Sequence, residues 1–264
     1  MRPTSVRRTA LVASAAALAL FATACGSSGD GGKDTGGKTV QPGRTAAPSS
    51  AAPAAAPLSA AELEKAALTQ ADVKSGKVAK VSPKEETAQD QVKVNDAACV
   101  PLGHLQSGAY VGKPSAAAGR HWTGDPKKPA ADASDEEKFL AGVDRPVVGV
   151  TLAAYADGGA EQAMKDLNAA ARSCAGGFAS TADGEETKVL KVTRTDAPEG
   201  GDEALAVTFT LDVSDGDKMS VKAAVVRKGA TLAHFITTNF ASAGAGKDFP
   251  FPTEIVDAQL AKLK

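Results

Sequence analysis

This 264-residue chain has few aromatic residues, and its positive and negative charges nearly balance. Phe, Trp and Tyr make up 4% of the residues although 43% are hydrophobic, because alanine supplies much of the apolar total. The core must therefore be built mainly from small and branched side chains. The 30 basic and 31 acidic residues leave a formal net charge of −1. Because no basic field is present, nucleic-acid binding is not expected.

Motifs for catalysis and metal binding are also missing. The histidines His104, His121 and His234 do not have zinc-ligand spacing, and no G-x-S-x-G sequence marks a nucleophile. The sequence therefore predicts no catalytic residues, no cofactor and no metal, and it favours a protein that is not an enzyme. His234 falls in a predicted strand, where a hydrogen-bonded structural histidine is the ordinary interpretation.

One nucleotide-binding motif occurs in an unsuitable context. Residues 32–39 (GKDTGGKT) match the phosphate-loop pattern G-x-x-x-x-G-K-[ST]. That loop works only between a buried strand and a helix whose N-terminal N–H groups face the phosphate. The flanking residues are polar or are Gly and Pro, so no nucleotide partner is predicted.

The first 25 residues have the pattern of a secretory signal. Arg2, Arg7 and Arg8 precede an apolar run too short for a permanent membrane span, and small residues follow before Cys25. Residues 21–26 (FATACG) resemble the lipobox of bacterial lipoproteins, which implies diacylglyceryl transfer to the Cys25 thiol and cleavage before it. We expect a signal peptide over residues 1–24 and lipid attachment at the extracytoplasmic face of the cell membrane. An ordinary cleaved signal and twin-arginine export are the alternatives.

A tether is predicted between the lipid and the folded domain. Residues 26–57 are almost entirely Gly, Ser, Ala, Thr, Pro and Lys. This composition buries too little apolar surface to offset the entropy of ordering. We therefore expect the lipidated cysteine and a disordered tether over residues 25–57, and a single extracytoplasmic domain over residues 58–264.

The cysteine count agrees with an exported protein. Lipidation of Cys25 leaves Cys99 and Cys174 as an even pair in an oxidising compartment. A disulfide between these two residues is the simplest interpretation. Two buried thiols and a metal-binding pair are the alternatives.

Hydrophobic periodicity predicts an α+β domain. A capping box at residues 59–62 (SAAE) starts a short helix, Asp96 caps a second helix that carries Cys99, and residues 160–174 have the apolar spacing of a third. The remaining predicted elements are strands at 76–82, 90–94, 147–155, 187–195, 203–213, 218–228 and 231–240, and a closing helix at 253–264. Strand runs without βαβ alternation predict that about five to six of these candidate strands form an antiparallel sheet flanked by helices.

The periodicity lapses over residues 107–145, where Gly, Pro, Ala and charged residues dominate. A connection this long is usually functional or disordered, although residues 135–138 favour a helical turn. Arg120, His121 and Trp122 combine charge, hydrogen bonding and a stacking surface within it, so these residues and Tyr110 are the candidate ligand contacts. The alternative for Trp122 is that it covers an edge of the core.

Several short motifs carry a resemblance to a known group of domains. They are residues 68–72 (LTQAD), 98–99 (AC), 169–174 (AAARSC) and 201–204 (GDEA). With the order of predicted elements, they resemble actinobacterial lipid-anchored domains similar to the extracellular sensor domain of the mycobacterial kinase PknH. The resemblance implies a sheet with helices around a cleft for an unidentified ligand, and no catalytic residues. The kinase domain has two disulfides, whereas this sequence has cysteines for one.

These patterns together predict a lipid-anchored binding or sensor-like module at the cell surface. Its ligand or protein partner in the cell envelope is not identified by the sequence. A cell-wall-acting enzyme is one alternative, and it would need convergent titratable groups. The solute receptor of a transporter is another, and it would need two α/β lobes.

Overall fold

The computed structural model describes residues 56–82, 84–214, 216–242 and 248–263. The predicted signal peptide, Cys25 and nearly all of the predicted tether lie outside the described residues. No helix in the described part of the chain is long and apolar enough to cross a membrane.

One antiparallel sheet of nine strands forms the centre of the described domain, in the order β1-β3-β4-β9-β8-β7-β6-β5-β2. The α+β class is confirmed, but the predicted number of five to six strands was too low. The strands are β1 (Lys77–Lys80), β2 (Lys93–Val94), β3 (Ala116–Thr123), β4 (Val147–Ala154), β5 (Phe178–Ala182), β6 (Glu185–Thr195), β7 (Glu203–Ser214), β8 (Asp217–Lys228) and β9 (Thr231–Thr238).

The prediction that residues 107–145 form one long connection is wrong. Strand β3 lies within this segment and pairs with β1 on one side and β4 on the other. Its sequence AAAGRHWT does not alternate between apolar and polar residues, because β3 is partly or fully buried at most positions on both faces. Arg120, His121 and Trp122 therefore lie on an inner strand of the sheet rather than in a loop.

Four of the five α-helices in the described domain bury side chains against the sheet, whereas the third, Asp135–Val143, has no buried residue. Local sequence signals explain several of the helix ends. Ser59 and Glu62 form the predicted capping box, and Ser134 with Glu137 forms a second one that starts a longer helix than the predicted turn. Gly108, in the left-handed conformation at φ 81°, ends the helix that follows Cys99. The helices are α1 (Ala60–Ala66), α2 (Val100–Ser107), α3 (Asp135–Val143), α4 (Gly159–Ser173) and α5 (Thr253–Leu260).

Helices cover both faces of the sheet and create two core layers. On one face, Leu102 of α2 and Leu167 of α4 pack with buried side chains of β7 and β8. On the other face, Leu63 of α1 and Val256 of α5 pack with buried residues that include Trp122. The central strands β4 and β9 therefore have no exposed residue.

A disulfide joins the two helices on the first face. The Sγ atoms of Cys99 and Cys174 are 2.04 Å apart, which confirms the predicted pairing. Cys99 immediately precedes α2, and Cys174 immediately follows α4. The bond therefore links the start of α2 to the end of α4 across 75 residues of sequence.

Removing this bond is expected to destabilise the domain. A Cys99→Ala/Cys174→Ala variant should lose about 2 to 5 kcal/mol of unfolding free energy, because its unfolded chain is no longer restricted by the cross-link. Urea denaturation measures this loss. Reducing agent should lower the urea concentration at which half of the wild-type protein is unfolded. It should leave this midpoint unchanged for the double variant. An unchanged wild-type midpoint under reduction would contradict the structural role of the bond.

Candidate functional site

A small polar cleft lies on the face of the sheet that α2 and α4 cover. Its cavity is about 110 Å³. Three adjacent strands form the floor: Gly119 on β3 is opposite Thr151 on β4, and Thr151 is opposite His234 on β9. Paired residues in adjacent antiparallel strands point to the same face, so these positions share one surface.

Glycine at position 149 leaves the floor of the cleft open. A Cβ atom added to Gly149 would have its nearest neighbours, His121 Cδ2 and Ile236 O, at 4.0 Å. A Cβ at Gly119 would instead lie 3.0 Å from Val81 Cβ. Gly119 therefore permits close packing, whereas the missing side chain at Gly149 creates free space.

The walls of the cleft come from two connections that are hydrogen-bonded to each other. Ser107, Gly108 and Tyr110 form one wall after α2, and residues 85–87 between β1 and β2 form the other. The Gln89 side chain donates to Tyr110 O at 2.6 Å and to Gly112 O at 2.7 Å. The Tyr110 hydroxyl donates to Glu86 Oε2 at 3.4 Å. These bonds fix the distance between the two walls.

His234 is the unusual residue of the floor. It is 2% exposed, and its Nε2 atom has no hydrogen-bond partner among the described residues. Burial lowers the pKa of its imidazole to about 4, so the ring is neutral at pH 7. A buried polar atom without a partner costs about 1 to 3 kcal/mol, and such atoms are rare in folded proteins.

Of the candidate contacts from the sequence, the structure brings Tyr110, Arg120 and His121 to the cleft. The guanidinium of Arg120 is already bound: it donates to Leu68 O at 3.1 Å and pairs with Glu64 at 2.9 Å. His121 is exposed at the rim of the cleft.

Trp122 does not line the cleft. Its side chain is 2% exposed, lies in the core layer beneath α1 and α5, and donates from Nε1 to Ser75 O at 2.9 Å. This placement matches the alternative interpretation of Trp122 as a core residue.

Gly149 was not predicted as a site residue, and His234 was interpreted as a structural histidine, with the sheet face near it as the second choice for the cleft. A glycine inside the otherwise branched sequence VVGVTLAA was a usable signal, because glycine in a strand often marks a close approach by a ligand or another chain segment. No local sequence pattern marks His234 as a site residue. Whether its Nε2 atom has a hydrogen-bond partner depends on neighbours from strands distant in sequence.

The carboxylates beside the cleft are exposed, and the pKa of one of them is shifted. The backbone N–H of Ser82 donates to Glu85 Oε2 at 2.8 Å. This bond, the Ser82 hydroxyl and the nearby charge of His121 hold the pKa of Glu85 below its ordinary value. Glu85 is therefore ionised at neutral pH. No group of three or more His, Cys, Asp or Glu residues in the described segments could hold a metal ion.

Three larger depressions in the described residues have less distinctive chemistry. One, of about 350 Å³, is lined by Lys127 and Asp144, which pair with each other. Another, of about 410 Å³, is lined by Lys228, whose ammonium donates to Leu263 O. The third, of about 360 Å³, is lined by Lys222, which pairs with an aspartate. Because these lysines already have partners, none of the three depressions is as strong a candidate as the cleft.

The chain matches no protein-family profile and no curated protein. Among solved structures it is similar to the extracellular domain of PknH from Mycobacterium tuberculosis, at 13% identity and a TM-score of 0.39, over 78% of this chain and 94% of that one. It is also similar to the Rv0999 ortholog of Mycobacterium smegmatis, at 12% identity and a TM-score of 0.32, over 72% and 87% of the two chains. Similarity at this level does not transfer a function.

The burial of His234 predicts a loss of stability in mild acid. Its folded-state pKa of about 4 lies below the ordinary value of 6.5, so between these values the unfolded chain binds a proton that the folded chain does not. The neutral imidazole of His234 contributes fully to the unfolding free energy above pH 6.5, and this contribution falls by about 2 to 3 kcal/mol on acidification to pH 4.5. In urea denaturation, a His234→Gln variant should therefore lose less unfolding free energy than the wild type over the same pH interval. Equal losses in the two proteins would contradict the buried, neutral state of His234.

Proposed function

We propose that this domain is a ligand-binding, sensor-like module whose binding site is the cleft. The observation that carries the proposal is that His234, whose buried Nε2 atom has no partner among the described residues, lines the same cleft as Gly149, where a side chain is missing. Atoms that line an open space lack dispersion contacts on that side, and a buried nitrogen without a partner lacks a hydrogen bond. A bound group can supply both the contacts and the hydrogen bond.

The cleft is the size of a chemical group rather than of a whole large ligand. Its cavity of about 110 Å³ is smaller than the roughly 150 Å³ engineered cavity that accepts benzene. We therefore expect a few heavy atoms to enter beside Gly149 and His234. The rest of the ligand would contact Glu85, Tyr110 and His121 at the rim.

The protonation chemistry of the cleft favours binding over catalysis. A general acid or base works best with a pKa near the operating pH. Burial moves the pKa of His234 to about 4, and burial together with Glu86 raises the pKa of Tyr110 above its ordinary value of 10. Neither group is therefore poised for proton transfer at neutral pH. A cell-wall-acting enzyme is the alternative, and turnover of a substrate would reveal it.

The arrangement of the sheet gives no support to the transporter alternative. A solute receptor needs two lobes with a ligand between them. In residues 56–263, apart from the short gaps in the description, all nine strands belong to one sheet. The cleft lies on a face of that sheet.

We further propose that the domain lies outside the cytoplasm and is held at the membrane by a lipid on Cys25. The signal pattern, the lipobox-like residues 21–26 and the disulfide support this proposal. Disulfides persist in oxidising compartments, and a diacylglyceryl group with a further acyl chain gives stable attachment where a single chain does not.

A Gly149→Val variant tests the binding proposal. The new side chain has room for its Cβ and suits a strand, so the fold should survive while the cleft is filled. We expect fragments from a panel of amines, carboxylates, sugars and amides to stabilise the wild-type protein, by about 2.7 kcal/mol at one hundred times their dissociation constant. The same fragments should not stabilise Gly149→Val in a thermal-shift measurement.

Gly176→Val is the matched control for this experiment. A Cβ at exposed Gly176 meets no atom within 4 Å, and this residue does not line the cleft. Its response to fragments should equal that of the wild-type protein. Equal stabilisation of Gly149→Val and the wild type would place the binding site elsewhere.

A Cys25→Ser variant tests the anchor. Without the thiol no lipid can be attached, so the protein should move from the detergent phase to the aqueous phase in detergent partitioning. A Cys99→Ser/Cys174→Ser variant, which keeps Cys25, should remain in the detergent phase. Unchanged partitioning of Cys25→Ser would contradict lipid attachment.

A further inference from the structure

We infer that the group entering the cleft is a protonated aliphatic amine, the alkylammonium head of a small molecule or of a lysine side chain. This inference rests on the proposed binding function and adds the chemical class of the ligand. It follows from the charges around the cleft, from the chemistry of the partnerless nitrogen and from the size of the cavity.

The charges beside the cleft favour a cation. Glu85 and Glu86 line it, and no lysine does. The guanidinium of Arg120 is committed to Leu68 O and to the Glu64 carboxylate. His121 lies at the rim near Glu85, whose carboxylate opposes a positive charge on that ring.

The end of helix α2 adds to the negative potential. Ser107 is the last residue of the helix and Gly108 is its C-cap, and both residues line the cleft. Aligned peptide dipoles leave a partial negative charge at the C-terminal end of a helix, which attracts cations. An anion in the cleft would face this helix end as well as the two carboxylates.

The imidazole of His234 supplies a hydrogen-bond acceptor. A neutral imidazole has one donor nitrogen and one acceptor nitrogen. When Nδ1 carries the proton, the partnerless Nε2 accepts a bond from an ammonium N–H. Because burial keeps the ring neutral, it does not repel the cation. A purely apolar ligand would leave Nε2 unsatisfied.

Four probes test this inference on the full chain. n-Butylammonium, butyrate and 1-butanol are similar in size, and Nα-acetyl-lysine N-methylamide is a larger probe that carries the same alkylammonium head. The chain has three histidines, so ¹⁵N-histidine labelling gives few imidazole signals, and His234→Gln assigns the one from the cleft. We expect both amines to shift the His234 signal and to bind at least tenfold more tightly than butyrate or butanol. Binding of the lysine derivative alone also supports the inference and identifies a peptide-borne amine as the source.

Charge-removing variants identify what the amine contacts. Glu85→Gln/Glu86→Gln should weaken n-butylammonium binding at least tenfold, while the neutral amide that replaces the Glu85 carboxylate can still accept the Ser82 N–H bond. Glu136→Gln/Glu254→Gln changes the net charge equally at exposed positions that do not line the cleft, and it should bind like the wild type. Equal weakening by both pairs would show only a general effect of net charge and would overturn the inference.

The outcomes separate this inference from the proposed function. If butyrate or butanol shifts the His234 signal more strongly than the amines, and Gly149→Val abolishes that shift, the ligand class is wrong while the binding function stands. If none of the four probes shifts the signal at millimolar concentration, the inference is wrong. The wider fragment panel then decides the binding function.

Discussion

Helices on both faces of one antiparallel sheet impose the main constraint on this domain. Every residue of the central strands β4 and β9 is buried or half-buried, so a buried side chain there must be apolar or hydrogen-bonded within the protein. Val150 and Phe235 meet this requirement beneath α1 and α5, and Leu232 meets it beneath α2 and α4. His234 does not, because its Nε2 atom is buried without a partner in the described residues. Thr237 Oγ1 on the same strand is also buried without a partner in the described residues, and of these two residues His234 is the one that lines the cleft.

The cleft exists because cover on one face of the sheet is incomplete. Helix α2 ends at Ser107, and the chain turns at Gly108 before it reaches β3. The disulfide holds the other end of α2 against α4, so the helix has a fixed position over the sheet. Gly149 supplies no side chain to fill the space beyond the end of α2.

Much of this fold could be predicted from local sequence patterns. The capping residues Ser59 and Glu62, the apolar face of α4 and the alternation in β7 and β8 each act within a few residues. Strand β3 could not be predicted, because burial on both faces removes the alternation that marks a half-exposed strand. Strand β5 is short and consists mostly of small residues, FASTA, so it also lacked a pattern.

Only part of the candidate site could be predicted, because local sequence patterns do not contain the contacts between strands. Tyr110 and His121 could be selected by residue type, and both line the cleft. The importance of Gly149 and His234 comes from neighbours on other strands, which no local pattern contains. Trp122 was selected for its stacking surface, but its ring lies in the core beneath α1 and α5.

The central claim is that His234 Nε2 faces a site for a group from outside the protein. A crystal structure at a resolution that shows ordered water tests it most directly. The predicted result is a solvent molecule or ligand at hydrogen-bond distance from Nε2, about 2.7 to 3.2 Å, with open space beside Gly149. A protein side chain such as Glu85 or Tyr110 filling that space and bonded to Nε2 would contradict the claim.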